Sequence, residues 1–357
     1  MRIAVIGATG NVGTAVLRRL HRAAADRAAA GHAGLLSIVG IARRRPDESA
    51  PPYSGVEWHT LDVGTDEGRR RLPGALAGVD AVIHLAWAIQ PNRDEAAMHR
   101  TNVLGTENAL RAAGEAGVRQ FVCASSVGAY SPSGKSVRRD ESWPTGGITT
   151  SHYSRHKAEQ ERLLDRFELD YPEIPVARLR PGLIFQTGAG SEVGRYFLGP
   201  LIPKVFLGRV APPVVPIPDR MVFQAVHADD VADAYWRVVD RRASGAFNIA
   251  AEPELTPARV GGLLGARRVL NVPVALLRAV VGVSWSLGVQ RTDPGWVDMA
   301  AQSPVMSTDR AAAVLGWSPE HSSIEAMAAI LAGMRGGGGH PASPALYPRN
   351  GRPPEGS

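Results

Sequence analysis

Tyr153 and Lys157 stand four residues apart in a chain of 357 residues whose 40 basic residues include three lysines, Lys135, Lys157 and Lys204. On a helix, residues four apart share a face, so an ammonium can lie beneath a phenol and favour its ionised form. A free phenol titrates at about pH 10, roughly three units from neutrality, so it needs a nearby cation to act as a base. Arginine suits this less, because its planar fork is bulky and permanently protonated. The pair is therefore a candidate proton-transfer device, which needs a helix and a strand edge to position it.

Ile3-Ala4-Val5-Ile6 reads as a buried parallel strand and runs directly into Gly7-Ala8-Thr9-Gly10-Asn11-Val12-Gly13. In such a G-x-x-G-x-x-G turn, glycines bring backbone N–H groups against a pyrophosphate and let the next helix pack close, its N-terminal dipole favouring the anion. A helix over 12–30 follows, then strand segments at 36–42, 56–61, 81–85, 120–124 and 176–179, separated by helical stretches such as 102–116. This βαβ series predicts an α/β fold, a Rossmann-type doubly wound parallel sheet. The strand ends at Ala42, Asp62, Ala86 and Ser125 would line one crevice, where a dinucleotide would lie. The second strand runs into Arg43-Arg44-Arg45 instead of an acidic residue. A guanidinium can clamp a 2′-phosphate, so NADP is favoured over NAD.

With these elements in order, residues 1–334 resemble the extended short-chain dehydrogenase/reductase family, which includes NAD-dependent epimerases and dehydratases. Beyond the glycine turn, the resemblance rests on Leu61-Asp62-Val63, His84-Leu85-Ala86, Asn102-Val103 with Gly105-Thr106, Ser125-Ser126 with Tyr130, and the Tyr153/Lys157 pair. It continues through Arg180-Pro181-Gly182, Val226-His227 with Asp229-Asp230, Phe247-Asn248-Ile249 and Leu315-Gly316-Trp317. It implies that Ser126 hydrogen-bonds the substrate oxygen, Tyr153 donates or accepts the proton, and Lys157 holds the nicotinamide ribose while lowering the tyrosine pKa. Ser125 is the rival strand-end serine; the spacing to Tyr130 favours Ser126. The implied cofactor set is Gly7, Thr9, Gly10, Asn11, Val12 and Gly13, then Arg43, Arg44, Asp62, Val63, Leu85, Ala86, Trp87, Asn102, Tyr153, Lys157 and Pro181. Asn102 has the alternative of bracing or capping its helix; Asp229 or Asp230 is expected to cap theirs, with a direct catalytic role as the alternative.

The resemblance also implies a cofactor domain over 1–182, with 226–250 returning to it, and a smaller C-terminal substrate-binding domain from 183–225 and 251–335. A homodimer through two helices, including the Tyr153 helix, is a further implication. Residues 336–357, opening with glycines and rich in proline, read as a disordered tail. In nucleotide-sugar members an arginine precedes the V-H-x-x-D histidine by four residues and meets the diphosphate; here that position is Phe223. Losing a phosphate clamp and gaining a phenyl ring predicts a neutral, apolar substrate. The apolar segment 196–215 could wall its pocket or serve as core or dimer surface. The expected function is hydride transfer between a nicotinamide cofactor and a secondary alcohol or ketone of an apolar small molecule. The alternatives are a nucleotide-sugar epimerase or dehydratase, anchored through Arg220 or Arg195, and a dinucleotide-binding module without turnover.

Other chemistry finds less support. The histidines lack cysteine partners, so no metal site is expected, and the single Cys123 sits in an apolar strand as a core thiol. The formal charge of +6 is dispersed and not interleaved with aromatics, which argues against nucleic acid. With no apolar run long enough to span a bilayer and no disulfide possible within the chain, a cytoplasmic location is expected. Residues 270–289 carry apolar side chains at helical spacing. They read as a core or substrate-pocket helix, with a monotopic or lid-like amphipathic helix as the alternative.

Overall fold

In the computed structural model, which describes residues 1–31, 36–90, 93–197 and 212–348, the short apolar runs form one seven-stranded sheet. Its strands are β1 (Arg2–Ile6), β2 (Ser37–Ala42), β3 (Glu57–Thr60), β4 (Ala81–His84), β5 (Gln120–Ala124), β6 (Val176–Pro181) and β7 (Gly245–Ile249). They pair in the order β3-β2-β1-β4-β5-β6-β7, and every pairing is parallel. The chain reverses its direction of travel across the sheet between β1 and β4. There Ile6 stands beside both Ile41 and His84, and the crevice of a doubly wound fold opens.

Side chains alternate across a strand, so each sheet face builds its own core. Ile3 and Val5 pack under α1 (Asn11–Ala29), whereas Ala4 and Ile6 pack under α2 (Asp66–Ala75), α3 (Gly105–Ala116) and α4 (His152–Asp170). The first face is completed by α5 (Ala228–Arg241), which returns from the C-terminal half. α1 meets α5 through Arg19–Asp233 at 2.8 Å and Arg27–Asp240 at 3.8 Å. Neither Asp229 nor Asp230 caps α5. His227 holds the cap position and its Nδ1 accepts from the Asp229 N–H at 3.3 Å, while buried Asp230 accepts from the Glu320 and His321 backbone N–H groups.

Beyond the sheet lie α6 (Val274–Ser286), α7 (Gly295–Gln302) and α8 (Ser323–Gly336). The core-helix reading of 270–289 does not hold, because no residue of α6 is buried. The disordered-tail reading fails for 337–348. Ala342, Ser343 and Leu346 are buried, Ser343 Oγ donates to the Thr9 carbonyl at 2.7 Å, and Asp47 N donates to the Ala342 carbonyl at 3.0 Å. Glycine and proline exclude regular helix there, but small and apolar side chains still find burial against the glycine turn. Residues 349–357 lie outside the described residues, as do 198–211, which include most of the apolar segment expected to wall a pocket.

A candidate active site at the sheet's switch point

The glycine turn needs its glycines for space. Gly7 has φ of 89°, and a Cβ there would stand 2.7 Å from the Ala86 nitrogen; at Gly13 a Cβ would stand 2.3 Å from the Gly7 carbonyl oxygen. Only without side chains can α1 begin this close to β1 and β4. Over the turn lies a cavity of about 140 Å³. Of the expected cofactor residues, Gly7, Thr9, Gly10, Arg43, Arg44, Val63, Leu85, Ala86 and Trp87 line it. Glu192 and Ala345, which the sequence did not flag, and Tyr196, the first residue of the segment expected to wall a pocket, form part of its wall.

The remaining expected residues stand apart from this cavity. Asn11, Val12 and Gly13 open α1, with Asn11 held by Gln186, whose Nε2 donates to the Asn11 carbonyl at 2.9 Å and to its Oδ1 at 2.6 Å. Asp62 lines a neighbouring cavity of about 230 Å³ that it shares with Arg43. Asn102 braces the chain after β4: its Oδ1 accepts from Ala88 N at 2.6 Å and its Nδ2 donates to the Ala88 carbonyl at 2.9 Å. Pro181 ends β6.

Tyr153 lies in the first turn of α4, whose start is fixed by Ser151 at the cap and by Ser154, whose hydroxyl donates to the Gly128 carbonyl and accepts from Ile148 N at 2.7 Å. The Tyr153 phenol faces the Ser126 side chain. Burial raises its pKa above the ordinary value, and the nearby Ser126 hydroxyl pulls the other way. Ser125 is committed elsewhere, since its hydroxyl donates to Glu161 Oε1 at 2.5 Å. Trp87 and Trp296 enclose the Tyr153 ring, with centroids 5.6 and 5.1 Å away.

Lys157 does not point at the phenol. Its Nζ lies 3.4 Å from the centroid of the Trp87 ring and donates to the Ala124 carbonyl at 2.6 Å and to Gln160 Oε1 at 3.0 Å. Burial pushes the Lys157 ammonium down to about 7, partly opposed by the Glu161 carboxylate. Burial alone would raise Glu161 itself, but Arg180, Arg178 and Ser125 hold it below the usual carboxylate range. Arg180 Nε donates to Glu161 Oε1 at 2.8 Å and Arg178 Nη1 to Oε2 at 3.1 Å, forming an ion cluster beneath the serines. A buried cluster of this kind keeps its charges only while all partners are present.

His152 and His156 carry no role in the sequence reading, although their four-residue spacing was visible. Their rings lie 6.1 Å apart on α4, with His99 5.3 Å from His156. His152 Nδ1 stands 3.0 Å from Asp293 Oδ2, and burial pushes His156 down to about 4. Among the described residues, no group of three or more His, Cys, Asp or Glu side chains could hold a metal.

Three similar proteins frame this site. The chain is 29% identical to a 4-hydroxy-2-methyl-3-oxo-4-farnesyl-3,4-dihydroquinoline-1-oxide ketoreductase from Stigmatella aurantiaca, over 40% of this chain and 41% of that protein. It is 32% identical to an NAD-dependent glucose-6-phosphate dehydrogenase from Haloferax volcanii, over 55% of this chain and 62% of that protein. Both matches thus span less than two thirds of the relative's length. The solved structure of dTDP-glucose 4,6-dehydratase from Streptomyces venezuelae, with NAD bound, covers 94% of this chain and 97% of its own at TM-score 0.67 and 20% identity, a likeness of fold. The NAD dependent epimerase/dehydratase family model matches residues 3–250. With that match and the parallel seven-stranded sheet, this chain belongs to the NAD-dependent epimerase/dehydratase family.

Proposed function

We propose that this protein is an NAD(P)-dependent reductase that acts on a ketone of an apolar small molecule through Ser126, Tyr153 and Lys157. The observation that carries the reading is the placement of Ser126 at the end of β5 against Tyr153 in the first turn of α4, with Lys157 one turn further along, at the carboxyl end of the sheet beside the glycine turn. The residues present fit a dinucleotide: Gly7 and Gly13 leave a backbone cradle that a Cβ would fill, and Arg43 and Arg44 offer cationic donors beside it. A bound nicotinamide dinucleotide would supply the hydride.

The chain's own residues would do the rest. Ser126 would hold the substrate oxygen, and Tyr153 would deliver a proton to it as negative charge develops. Burial keeps the phenol protonated, the form that delivers a proton in reduction. Lys157, near neutrality and one turn along α4 from Tyr153, would carry its charge beside a ribose. Glu161 with Arg178 and Arg180 keeps Ser125 tied down, leaving Ser126 to face Tyr153.

An apolar substrate is supported by the rings of Trp87 and Trp296 against Tyr153. Phe223 supports it less than its sequence position suggests, because its ring packs with Ala225, Leu255 and Ala326. The name of the Stigmatella aurantiaca relative, a ketoreductase of a farnesyl-bearing quinoline oxide, agrees in class. A nucleotide-sugar substrate would need a phosphate anchor. Arg195 already donates to the Ala345 and Tyr347 carbonyls and stacks on the Tyr347 ring. Arg43 and Arg44 in the cavity wall favour NADP.

The test is a screen of ketones with NADPH and NADH, followed by Tyr153→Phe on whichever substrate turns over. Loss of the phenol should lower kcat at least about 100-fold with folding unchanged. A variant that retains turnover within about threefold sinks the assignment.

A further inference from the structure

α6 is apolar around most of its circumference, yet none of its residues is buried. Leu276, Val280, Val283 and Leu287 follow one another at spacings of four, three and four, and so share one stripe along the helix and its last turn. Their exposures are 53, 58, 62 and 73%, and Leu270, just before the helix, is 56% exposed. The helix is nonetheless held in place from its other side. Arg278 Nε donates to both carboxylate oxygens of buried Asp298 at 2.9 Å, and the Arg93 guanidinium stacks on Trp285 at 4.0 Å. Isolated apolar side chains on a surface need no explanation, but a contiguous outward stripe on an anchored helix marks an interaction face.

The charges around the stripe indicate what covers it. Residues 255–292 contain Arg259, Arg267, Arg268, Arg278 and Arg291 and no aspartate or glutamate. Arg267, Arg268 and Arg291 are exposed and flank the two ends of the helix. A second copy laid on the stripe, in either direction, would bring the arginine-bearing ends together, with Asp219, bonded to Asn271 beside the start of the helix, as an exposed acidic neighbour. An anionic surface would satisfy both the apolar stripe and these arginines.

We propose that α6 docks this protein peripherally on an anionic lipid surface, with the stripe at the acyl boundary and Arg267, Arg268 and Arg291 on lipid phosphates. No helix among the described residues is long and apolar enough to cross a membrane, so attachment is by one face. The docked face lies one helix away from the candidate tyrosine: Asp298, which anchors Arg278, sits on α7 with Trp296, and Trp296 packs on Tyr153. The inference does not rest on the proposed reaction and stands or falls without a substrate.

The experiment is flotation of the full chain with vesicles of phosphatidylcholine alone and of phosphatidylcholine mixed with phosphatidylglycerol, alongside its mass in solution. The wild-type chain should float with the mixed vesicles and bind the neutral ones at least about tenfold less. Val280→Asp with Val283→Asp should weaken vesicle binding by at least about tenfold while melting behaviour is retained. Arg267→Gln with Arg268→Gln should weaken it less and make it less sensitive to salt. If the aspartate variant fails to fold, Leu287→Gln at the most exposed position repeats the test. The proposal is overturned if the chain floats with neither vesicle, if the stripe variants bind as well as wild type, or if the chain is a dimer that they turn into a monomer.

Discussion

The Lys157 ammonium sits 3.4 Å from the centroid of the Trp87 ring, so the residue whose charge would serve Tyr153 is held against an indole and stripped of water. A cation over an aromatic face is attracted by the ring quadrupole, but burial costs more here, and Lys157 falls to about 7. The Trp87 Nε1 is itself buried without a hydrogen-bond partner among the described residues, which fits a ring placed by packing.

This placement predicts proton uptake on cofactor binding. A bound cofactor bearing phosphates favours the charged lysine, so its pKa should rise on binding. Above pH 7 a proton should then be taken up, approaching about one per site as pH climbs. Affinity should correspondingly fall as pH rises through 7. Titration calorimetry of NADPH in buffers of different ionisation enthalpy measures the uptake; heats that do not vary with buffer would refute it, and Lys157→Met should abolish it. In the ligand-free protein the sign is opposite: a lysine depressed from 10.5 to about 7 makes the fold gain stability as pH rises across that interval.

Arg43 should discriminate between the two cofactors. It lines both the cavity over the glycine turn and the neighbouring one with Asp62, and it is exposed, whereas Arg44 Nη2 donates to the Pro344 carbonyl at 2.7 Å. Arg43→Ala should weaken NADPH at least about tenfold and leave NADH nearly unchanged. Equal losses for both in a fluorescence titration would show that no 2′-phosphate is bound there.

Removing Glu161 should destabilise the fold strongly. Its carboxylate faces Arg178 and Arg180, all three being buried. Glu161→Ala should cost about 3–5 kcal/mol in urea denaturation, because two buried guanidiniums lose their shared partner. A loss below about 1 kcal/mol would mean that water or Glu168 replaces it.

Acid should weaken the protein before its carboxylates titrate. Burial holds His84 at about 3 and His156 at about 4, both below the ordinary 6.5. Groups depressed in the folded state contribute stability above 6.5 and lose it as pH falls through that value towards 4. The urea midpoint should therefore drop between pH 7 and 5, and the drop should shrink in His156→Asn. A flat midpoint across this range would show that these rings are hydrated.

The sequence by itself determined six of the seven strands, their doubly wound class, the glycine turn and the helix that carries Tyr153 and Lys157. These follow from local rules: apolar runs for strands, glycine where no Cβ fits, and four-residue spacing for a shared helix face. It also contained both readings of α6, but choosing between them required knowing which neighbours the helix finds, and burial is set by the assembled fold. The tertiary structure alone decided that Lys157 meets Trp87 before Tyr153, that Ser125 belongs to Glu161, and that 337–348 fold back on Thr9 and Arg44. Each joins residues far apart in the chain through contacts of a few ångströms, and no periodicity or spacing encodes such distances.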